Sequence, residues 1–253
     1  MVLNMFRLEG KVAAITGPTR GIGRAMALAL AEAGADIALL QRVPQQIEVK
    51  EEIENMGRSC RIIPCDLEDA EQVRNAIPSV VTQFGKVDIL VNNAGIQRRS
   101  PAVNFLETDW DDVLRVNLKA VWTLCQQAGQ YMVSQESGKI INMASLLSFQ
   151  GGLTVPAYAA AKGGVAQLTK ALSNEWARHN VNVNAIVPGY IATEMNTALL
   201  QDENRNRQIT ERIPANRWGN PDDFKGAVVY LASDASNYMH GHLLAIDGGW
   251  LGR

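Results

Sequence analysis

The feature that most constrains the fold is a glycine-rich turn that follows the first apolar segment. Residues 11–16 form a short run of β type, glycines punctuate residues 17–23, and an Ala- and Leu-rich segment follows over 24–33. A second apolar run comes at 36–40. Strand, glycine turn, helix and strand in this order predict a βαβ unit. Such a turn lets backbone amides at a helix N-terminus approach the pyrophosphate of a dinucleotide.

The alternation of strand and helix continues to the end of the chain. Short apolar runs predict further strands at 61–64, 87–91, 140–144, 181–187 and 243–246. Seven strands separated by helices predict a single α/β domain over 1–253, with a doubly wound, seven-stranded parallel sheet that is Rossmann-like. One long helix is expected from Thr108 to Gln135, with Thr108 as its N-cap. The polar interval at about 190–220 is a candidate lid.

Net charge, apolar runs and cysteine spacing limit the kinds of binding partner that we expect. The net charge of −2 gives no reason to expect nucleic acid, and the chain has no apolar run long enough to predict a membrane partner. Cys60, Cys65 and Cys125 form neither a paired framework nor a metal-binding spacing, so no metal is expected. They are typical of reduced, intracellular thiols, which predicts a cytoplasmic protein.

Tyr158 and Lys162 form a candidate acid–base pair. Their spacing of four residues puts both side chains on one face of a helix. A phenol normally loses its proton near pH 10, and a neighbouring ammonium favours the phenolate. Ser145 follows the apolar run 140–144, so its hydroxyl is expected at the carboxyl end of a strand, where open α/β sheets bind their ligands.

These residues belong to a longer series of motifs, through which the chain resembles the short-chain dehydrogenase/reductase family over nearly its whole length. The motifs, in the family's order, are Thr16-Gly17-x3-Gly21-x-Gly23, Asn92-Asn93-Ala94-Gly95, Asn117, Ser145, Tyr158-x3-Lys162 and Pro188-Gly189 with Thr193. The resemblance implies an oxidoreductase that transfers a hydride between a nicotinamide cofactor and a secondary alcohol or ketone.

The resemblance also implies a role for each site residue. Tyr158 would exchange a proton with the substrate oxygen, and Lys162 would lower the pKa of Tyr158 and bind the nicotinamide ribose. Ser145 would hold the substrate oxygen, and Asn117 would hold a water that relays protons to solvent. The remaining cofactor contacts would be Gly17, Gly21, Ile22 and Gly23 at the pyrophosphate, Asp66 and Leu67 at the adenine, Asn93, Ala94 and Gly95 at the adenosine ribose, and Pro188, Gly189, Ile191 and Thr193 at the nicotinamide.

The end of the second strand bears on the choice of cofactor. Members of the family that prefer NAD often have an acid there, whereas this chain has Gln41 followed by Arg42. Arg20 lies in the glycine turn. Glutamine does not repel a 2′-phosphate and two arginines attract one, so these residues favour NADP(H), with NAD(H) left open.

A narrower resemblance concerns the substrate. Several segments, among them 92–99, 145–152 and 212–219, resemble the group of 2-deoxy-D-gluconate 3-dehydrogenases and 2-dehydro-3-deoxy-D-gluconate 5-dehydrogenases. That group acts on a secondary alcohol of sugar acids and tends to use NAD, which opposes the preference drawn from Arg42. A substrate of this class would contact Ser145, Tyr158, Gln150 and Arg99. Arg98 and Arg99 both follow the fourth strand, where a guanidinium suits a carboxylate.

Two other functions remain open. One is a 3-oxoacyl thioester reductase, which shares the framework. The other is a nicotinamide-binding sensor without chemistry, although the complete set of Asn117, Ser145, Tyr158 and Lys162 favours an enzyme. The family resemblance also implies a homotetramer, in which the helices predicted at 108–135 and 156–179 pair across a two-fold axis.

Overall fold

A computed structural model describes all 253 residues. The predicted strands form one parallel sheet in the order β3-β2-β1-β4-β5-β6-β7, which confirms the predicted architecture. The strands β1 to β7 span Val12–Thr16, Asp36–Gln41, Cys60–Pro64, Ile89–Asn92, Gly138–Met143, Val181–Pro188 and Leu243–Ile246.

Helices cover both faces of this sheet. Alternate residues of β1 point to opposite sides: Ala13 and Ile15 join one apolar cluster, and Val12 and Ala14 join the other. Burial on both faces explains why the central strands are continuously apolar rather than alternating. The helices α1 to α9 span Gly21–Glu32, Glu48–Asn55, Ala70–Phe84, Glu107–Leu114, Ala120–Ser134, Pro156–Trp176, Thr197–Gln201, Glu203–Arg212 and Lys225–Ala232.

The helical segment predicted from Thr108 to Gln135 is confirmed, and the structure differs from the prediction in two details. A π-helical turn over Arg115–Lys119 separates α4 from α5, and α4 begins at Glu107 with no side-chain cap. The reason lies at Asn117, whose buried side chain hydrogen-bonds the backbone of a loop outside the helix. A π turn inside an α-helix often marks a functional position.

The interval at 190–220, predicted as a lid, has its own secondary structure. It contains α7 and α8, and Ile191 pairs with Gly219 in an isolated parallel bridge. After this interval, the 3-10 turn Pro221–Phe224 continues into α9. Pro221 occupies the first turn, where its missing N–H costs nothing.

The order of strands places the candidate site. β1 pairs with β2 on one side and with β4 on the other, so the direction of winding reverses between β1 and β4. Open α/β sheets bind ligands at such a reversal, outside the carboxyl ends of the strands. A cleft of about 850 Å³ lies there. No helix in the chain is both long enough and apolar enough to cross a bilayer.

Candidate active site

One threonine ties the glycine turn to the neighbouring strand. The hydroxyl oxygen of Thr16 accepts hydrogen bonds from the backbone N–H groups of Asn93 (2.9 Å) and Ala94 (3.0 Å). The side-chain amide of Asn93 donates in return to the carbonyl oxygens of Thr16 (3.0 Å) and Gly17 (3.1 Å). Asn93 therefore fixes the turn, while the backbone of Ala94 faces the cleft.

The glycine turn suits a pyrophosphate because it has no room for side chains. Gly17 and Gly21 have φ of 62° and 55°, a conformation that favours glycine. A Cβ at Gly23 would lie 2.1 Å from the carbonyl oxygen of Gly17. The turn leads directly into α1, whose first N–H groups have no partner within the helix and attract an anion. These residues fit a dinucleotide phosphate.

The adenosine end of the cleft contains a buried glutamine and two arginines. The amide nitrogen of Gln41 donates to the carbonyl oxygens of Val43 and Gln46 (2.8 Å each), while its buried side-chain oxygen has no partner. Arg42 is exposed and makes no ion pair. Arg20, in contrast, forms an ion pair across the cleft with Glu194. Only Arg42 is therefore a free cation at this end.

The amide of Asn117 holds the loop that follows β4. Its oxygen accepts from the N–H of Ile96, and its nitrogen donates to the carbonyl oxygen of the same residue, both at 2.8 Å. A Cβ on Gly95 would come within 3.1 Å of this amide oxygen and 3.9 Å of the Lys162 ammonium. Asn117 and Lys162 thus approach the same loop, as a shared role requires.

Ser145, Tyr158 and Lys162 meet at the carboxyl end of β5. The hydroxyl of Ser145 accepts from the N–H of Leu147 (3.2 Å) and caps a 3-10 turn. The buried ammonium of Lys162 donates to the carbonyl oxygen of Met143 (2.6 Å) and lies 5.6 Å from the ring centre of Tyr158. A tyrosine, a serine and a cation in this arrangement can exchange a proton with a bound oxygen.

The charges around Tyr158 differ from the prediction. Burial raises the pKa of Tyr158, against smaller lowering effects of a hydrogen bond from Ser145 and the charge of Arg99. That Lys162 lowers this pKa stays a prediction; its ammonium lies 5.6 Å from the ring centre of Tyr158, and the charge that lowers the pKa in this structure is that of Arg99. Lys162 is itself affected: burial lowers its pKa to about 8.

The substrate end of the cleft contains three arginines in different surroundings. Arg98 is 3.4 Å from the carboxylate of Asp109, so its charge is partly neutralised. Arg99, after β4, and Arg205, on α8, have no acidic partner and donate only to the glutamine side chains of Gln97 and Gln208. The cleft therefore presents two acid-free guanidinium groups from two different segments.

The structure brings nearly all predicted site residues together. All of them line the cleft except Asn117, which lies behind the loop at Ile96, and Gln150. The side-chain oxygen of Gln150 accepts a hydrogen bond from the indole N–H of Trp250 (3.0 Å). In this structure Gln150 links the segment after Ser145 to the C-terminal end of the chain.

Three residues at or beside the cleft were missed in the sequence. Glu194 gave no signal, and Arg205 stood out only as one of several charges in the polar interval predicted as a lid. Ser148 had one: a serine three residues after another is a helix-capping spacing. Its hydroxyl donates to the carbonyl oxygen of Lys162 (2.7 Å).

Comparison with known proteins finds relatives along nearly the whole chain. Residues 17–251 match the family model described as enoyl-(acyl carrier protein) reductase. The chain is 48% identical over 254 residues to the 2-dehydro-3-deoxy-D-gluconate 5-dehydrogenase of Escherichia coli, covering 100% of both chains. It is 48% identical over 248 residues to the Bacillus subtilis protein of the same name, covering 98% of this chain and 97% of the relative.

A solved structure has the same fold over the whole chain. The gluconate 5-dehydrogenase of Burkholderia cenocepacia, in complex with NADP and tartrate, superposes with a TM-score of 0.96 at 40% identity, covering 100% of both chains. The chain belongs to the short-chain dehydrogenase/reductase family. It is similar, along its whole length, to members that are named as dehydrogenases of sugar acids.

Proposed function

We propose that this chain catalyses the NADP(H)-dependent interconversion of a secondary alcohol and a ketone on a sugar acid. The observation that carries the proposal is the substrate end of the cleft. There the acid–base group Tyr158 stands beside Ser145, and two guanidinium groups without acidic partners, Arg99 and Arg205, line the same cavity. The names of its relatives support the same class of substrate.

The proposed mechanism divides the work among three side chains. When bound, the nicotinamide accepts or supplies the hydride. Tyr158 takes the proton of the alcohol during oxidation and returns it during reduction. The Ser145 oxygen already accepts the N–H of Leu147, and its one O–H, which bonds Tyr158 in the chain alone, would donate to the substrate oxygen once a substrate is bound.

Lys162 and Asn117 complete the proposed proton path. The Lys162 ammonium uses only one of its three protons, on the carbonyl of Met143, and has two left for the nicotinamide ribose and water. Asn117 fixes the loop at Ile96 beside this ammonium. We assign Asn117, Ser145, Tyr158 and Lys162 as the catalytic set on these contacts.

The preference for NADP(H) rests on Arg42. It is the free cation at the adenosine end, and the Burkholderia cenocepacia relative was solved with NADP. Arg20 contributes only if it leaves Glu194, since the two are paired across the cleft. The remaining cofactor contacts are those of the glycine turn, of residues 66–67 and 93–95, and of residues 188–193, all of which line the cleft.

A carboxylate on the substrate is proposed to bind Arg99, with Arg205 on the lid as a second contact. The tartrate in the Burkholderia cenocepacia complex is itself a hydroxy acid, which supports a site for such anions in this group. Charge-assisted hydrogen bonds to a guanidinium are stronger than neutral ones and distinguish an acid from its neutral counterpart.

The test is a substrate panel combined with one pair of variants. Sugar acids, neutral sugars and acetoacetyl thioesters are assayed with NADP(H) and NAD(H), first on the unaltered chain. Arg99→Ala is expected to raise KM about ten- to a hundredfold for a sugar acid, as loss of a charged hydrogen bond implies, and to leave KM for a neutral sugar nearly unchanged. Arg207→Ala is the control, because Arg207 lies on α8 but pairs with Glu211 away from the cleft.

Other results of these assays would contradict the carboxylate role of Arg99 or favour a different function. Equal effects of Arg99→Ala on acids and neutral sugars would remove the carboxylate role. Turnover of acetoacetyl thioesters without turnover of any sugar acid would favour the acyl reductase. Tight cofactor binding without turnover of any substrate would favour the sensor.

We further propose a cytoplasmic homotetramer. Trp122 is 40% exposed on α5, and a large aromatic side chain at this position suits a face covered by a second copy. All three cysteines are buried free thiols, which suits a reducing compartment. Light scattering at micromolar concentration tests the assembly, and a monomeric mass contradicts it.

A further inference from the structure

We infer that Ser148 is a positioning residue that holds Ser145 in register with Tyr158. Its side chain does not line the cleft, and it touches neither substrate nor cofactor space. It acts by joining two segments that each carry one reacting group: the end of β5, with Ser145, and the helix α6, with Tyr158. The inference rests on the proposed oxidoreductase chemistry, although not on the choice of a sugar acid.

Two hydrogen bonds made by one hydroxyl carry the inference. The Ser148 oxygen accepts from the backbone N–H of Ser145 (3.3 Å), and its proton is donated to the carbonyl oxygen of Lys162 (2.7 Å). A serine hydroxyl has one donor and two acceptor positions, so both bonds form at the same time. Ser148 is therefore a direct bridge between the backbone of the catalytic serine and the catalytic helix.

The hydrogen bond from Ser148 joins α6 at the Lys162 carbonyl, close to Tyr158. Lys162 follows Tyr158 by one helical turn on the same face, so fixing the Lys162 backbone fixes the origin of the Tyr158 side chain. A second tie exists, from the Lys162 ammonium to the carbonyl of Met143. That ammonium is also proposed to bind the cofactor ribose. The bond from Ser148 does not depend on the cofactor and keeps the two segments together in every step.

The distance between the two segments affects the chemistry of the phenol. The hydrogen bond from Ser145 lowers the pKa of Tyr158, while burial raises it. If the bridge is lost, Ser145 is no longer held toward Tyr158, and the phenol keeps its proton to higher pH. Oxidation of an alcohol requires the phenolate as base, so the acid limb of the rate profile should move upward.

Ser148→Ala tests the inference. We expect kcat to fall about ten- to a hundredfold, since a small misplacement of reacting groups has effects of this size. The acid limb of kcat/KM for alcohol oxidation, which reports the pKa of the chain before substrate binds, should shift to higher pH by up to about one unit, the size expected for one hydrogen bond. KM for NADP(H) should stay within about twofold of the unaltered chain. Ser148→Thr keeps the hydroxyl and should restore the pH profile.

The matched control is Ser134→Ala. Ser134 is an exposed serine on α5 whose hydroxyl also donates to a backbone carbonyl, that of Tyr131 at 2.8 Å. Both alanine variants lose one such bond, so similar unfolding temperatures with different pH profiles would separate positioning from stability. If Ser148→Ala does not fold, Ser148→Cys keeps a similar shape with a weaker donor and should show the same shift.

The assay uses whichever alcohol in the substrate panel is oxidised, so a wrong choice of sugar acid leaves the test intact. A normal kcat together with an unmoved acid limb in Ser148→Ala would overturn the inference. So would a loss of kcat that Ser134→Ala reproduces.

Discussion

Two buried lysines lie near opposite ends of β5, and their comparison shows what makes a site. Burial lowers the pKa of each to about 8. Lys139 is the second residue of β5 and lies at the amino edge of the sheet. Its ammonium donates to the side-chain oxygens of Asn182 (2.9 Å) and Asn237 (2.7 Å). Lys162 lies at the carboxyl edge and donates to the carbonyl of Met143.

The two lysines differ in their neighbours rather than in their own electrostatics. Lys139 borders a cavity of about 240 Å³ that contains no tyrosine, and its ammonium donates to two asparagine side chains. Lys162 borders a cleft of about 850 Å³ and shares it with Tyr158 and Ser145. A shifted pKa therefore marks burial, and the adjacent proton-transfer groups mark function.

The largest effect is expected from removing the hydroxyl of Tyr158, which lies near Lys162 and has no counterpart near Lys139. Tyr158→Phe should lower turnover by about 10²- to 10⁴-fold, because general acid–base catalysis contributes on this scale and Tyr158 is its candidate. Cofactor binding, followed by fluorescence titration, should change little. Lys139→Met is the control and should keep turnover near that of the unaltered chain. Turnover of Tyr158→Phe within a few fold of the unaltered chain would end the assignment.

The next largest effect is expected at Arg42, a cation of the cleft that is exposed, whereas Lys139 and Lys162 are buried. Arg42→Ala should weaken NADP(H) binding about ten- to a hundredfold, as loss of a charge-assisted hydrogen bond to the 2′-phosphate implies. Binding of NAD(H) should change little, since it has only a hydroxyl there. Equal weakening of both cofactors would give Arg42 a structural role, and a preference of the unaltered chain for NAD(H) would reject the proposed cofactor.

The smallest expected effect is a change in how the free energy of unfolding depends on pH, caused by Lys139 at the amino edge of the sheet. An unfolded lysine keeps its proton to about pH 10.4, whereas folded Lys139 releases it near pH 8. Between these values the unfolded state binds more protons, so Lys139 makes the free energy of unfolding rise with pH by up to about 1.4 kcal/mol per unit. Lys139→Met should remove this rise, which urea unfolding at several pH values measures.

The buried cysteines do not confuse this measurement. Burial raises the pKa of Cys60, Cys65 and Cys125 to about 12. These thiols therefore lower the free energy of unfolding at alkaline pH equally in the unaltered chain and in Lys139→Met. Only the difference between the two proteins is interpreted. A difference that does not vary with pH would mean that Lys139 is not protonated as proposed.

Local patterns predicted the elements well and their ends less well. The strand runs were found because a sheet buried on both faces requires continuous apolar segments. The π-helical turn between α4 and α5 was not predicted, since Asn117 within it hydrogen-bonds Ile96, which is twenty-one residues away in the chain. Thr108 resembled an N-cap by residue type, but the helix begins at Glu107.

The sequence by itself determined the fold class, the glycine turn and the group of Ser145, Tyr158 and Lys162, because each depends on local spacing and on the periodicity of apolar residues. Only the tertiary structure decided which charges are free. Arg20 is neutralised by Glu194 and Arg98 by Asp109, whereas Arg42, Arg99 and Arg205 are not. Ion pairs join residues that are distant in the chain, and Coulomb energy depends on distance in space, which a sequence does not give.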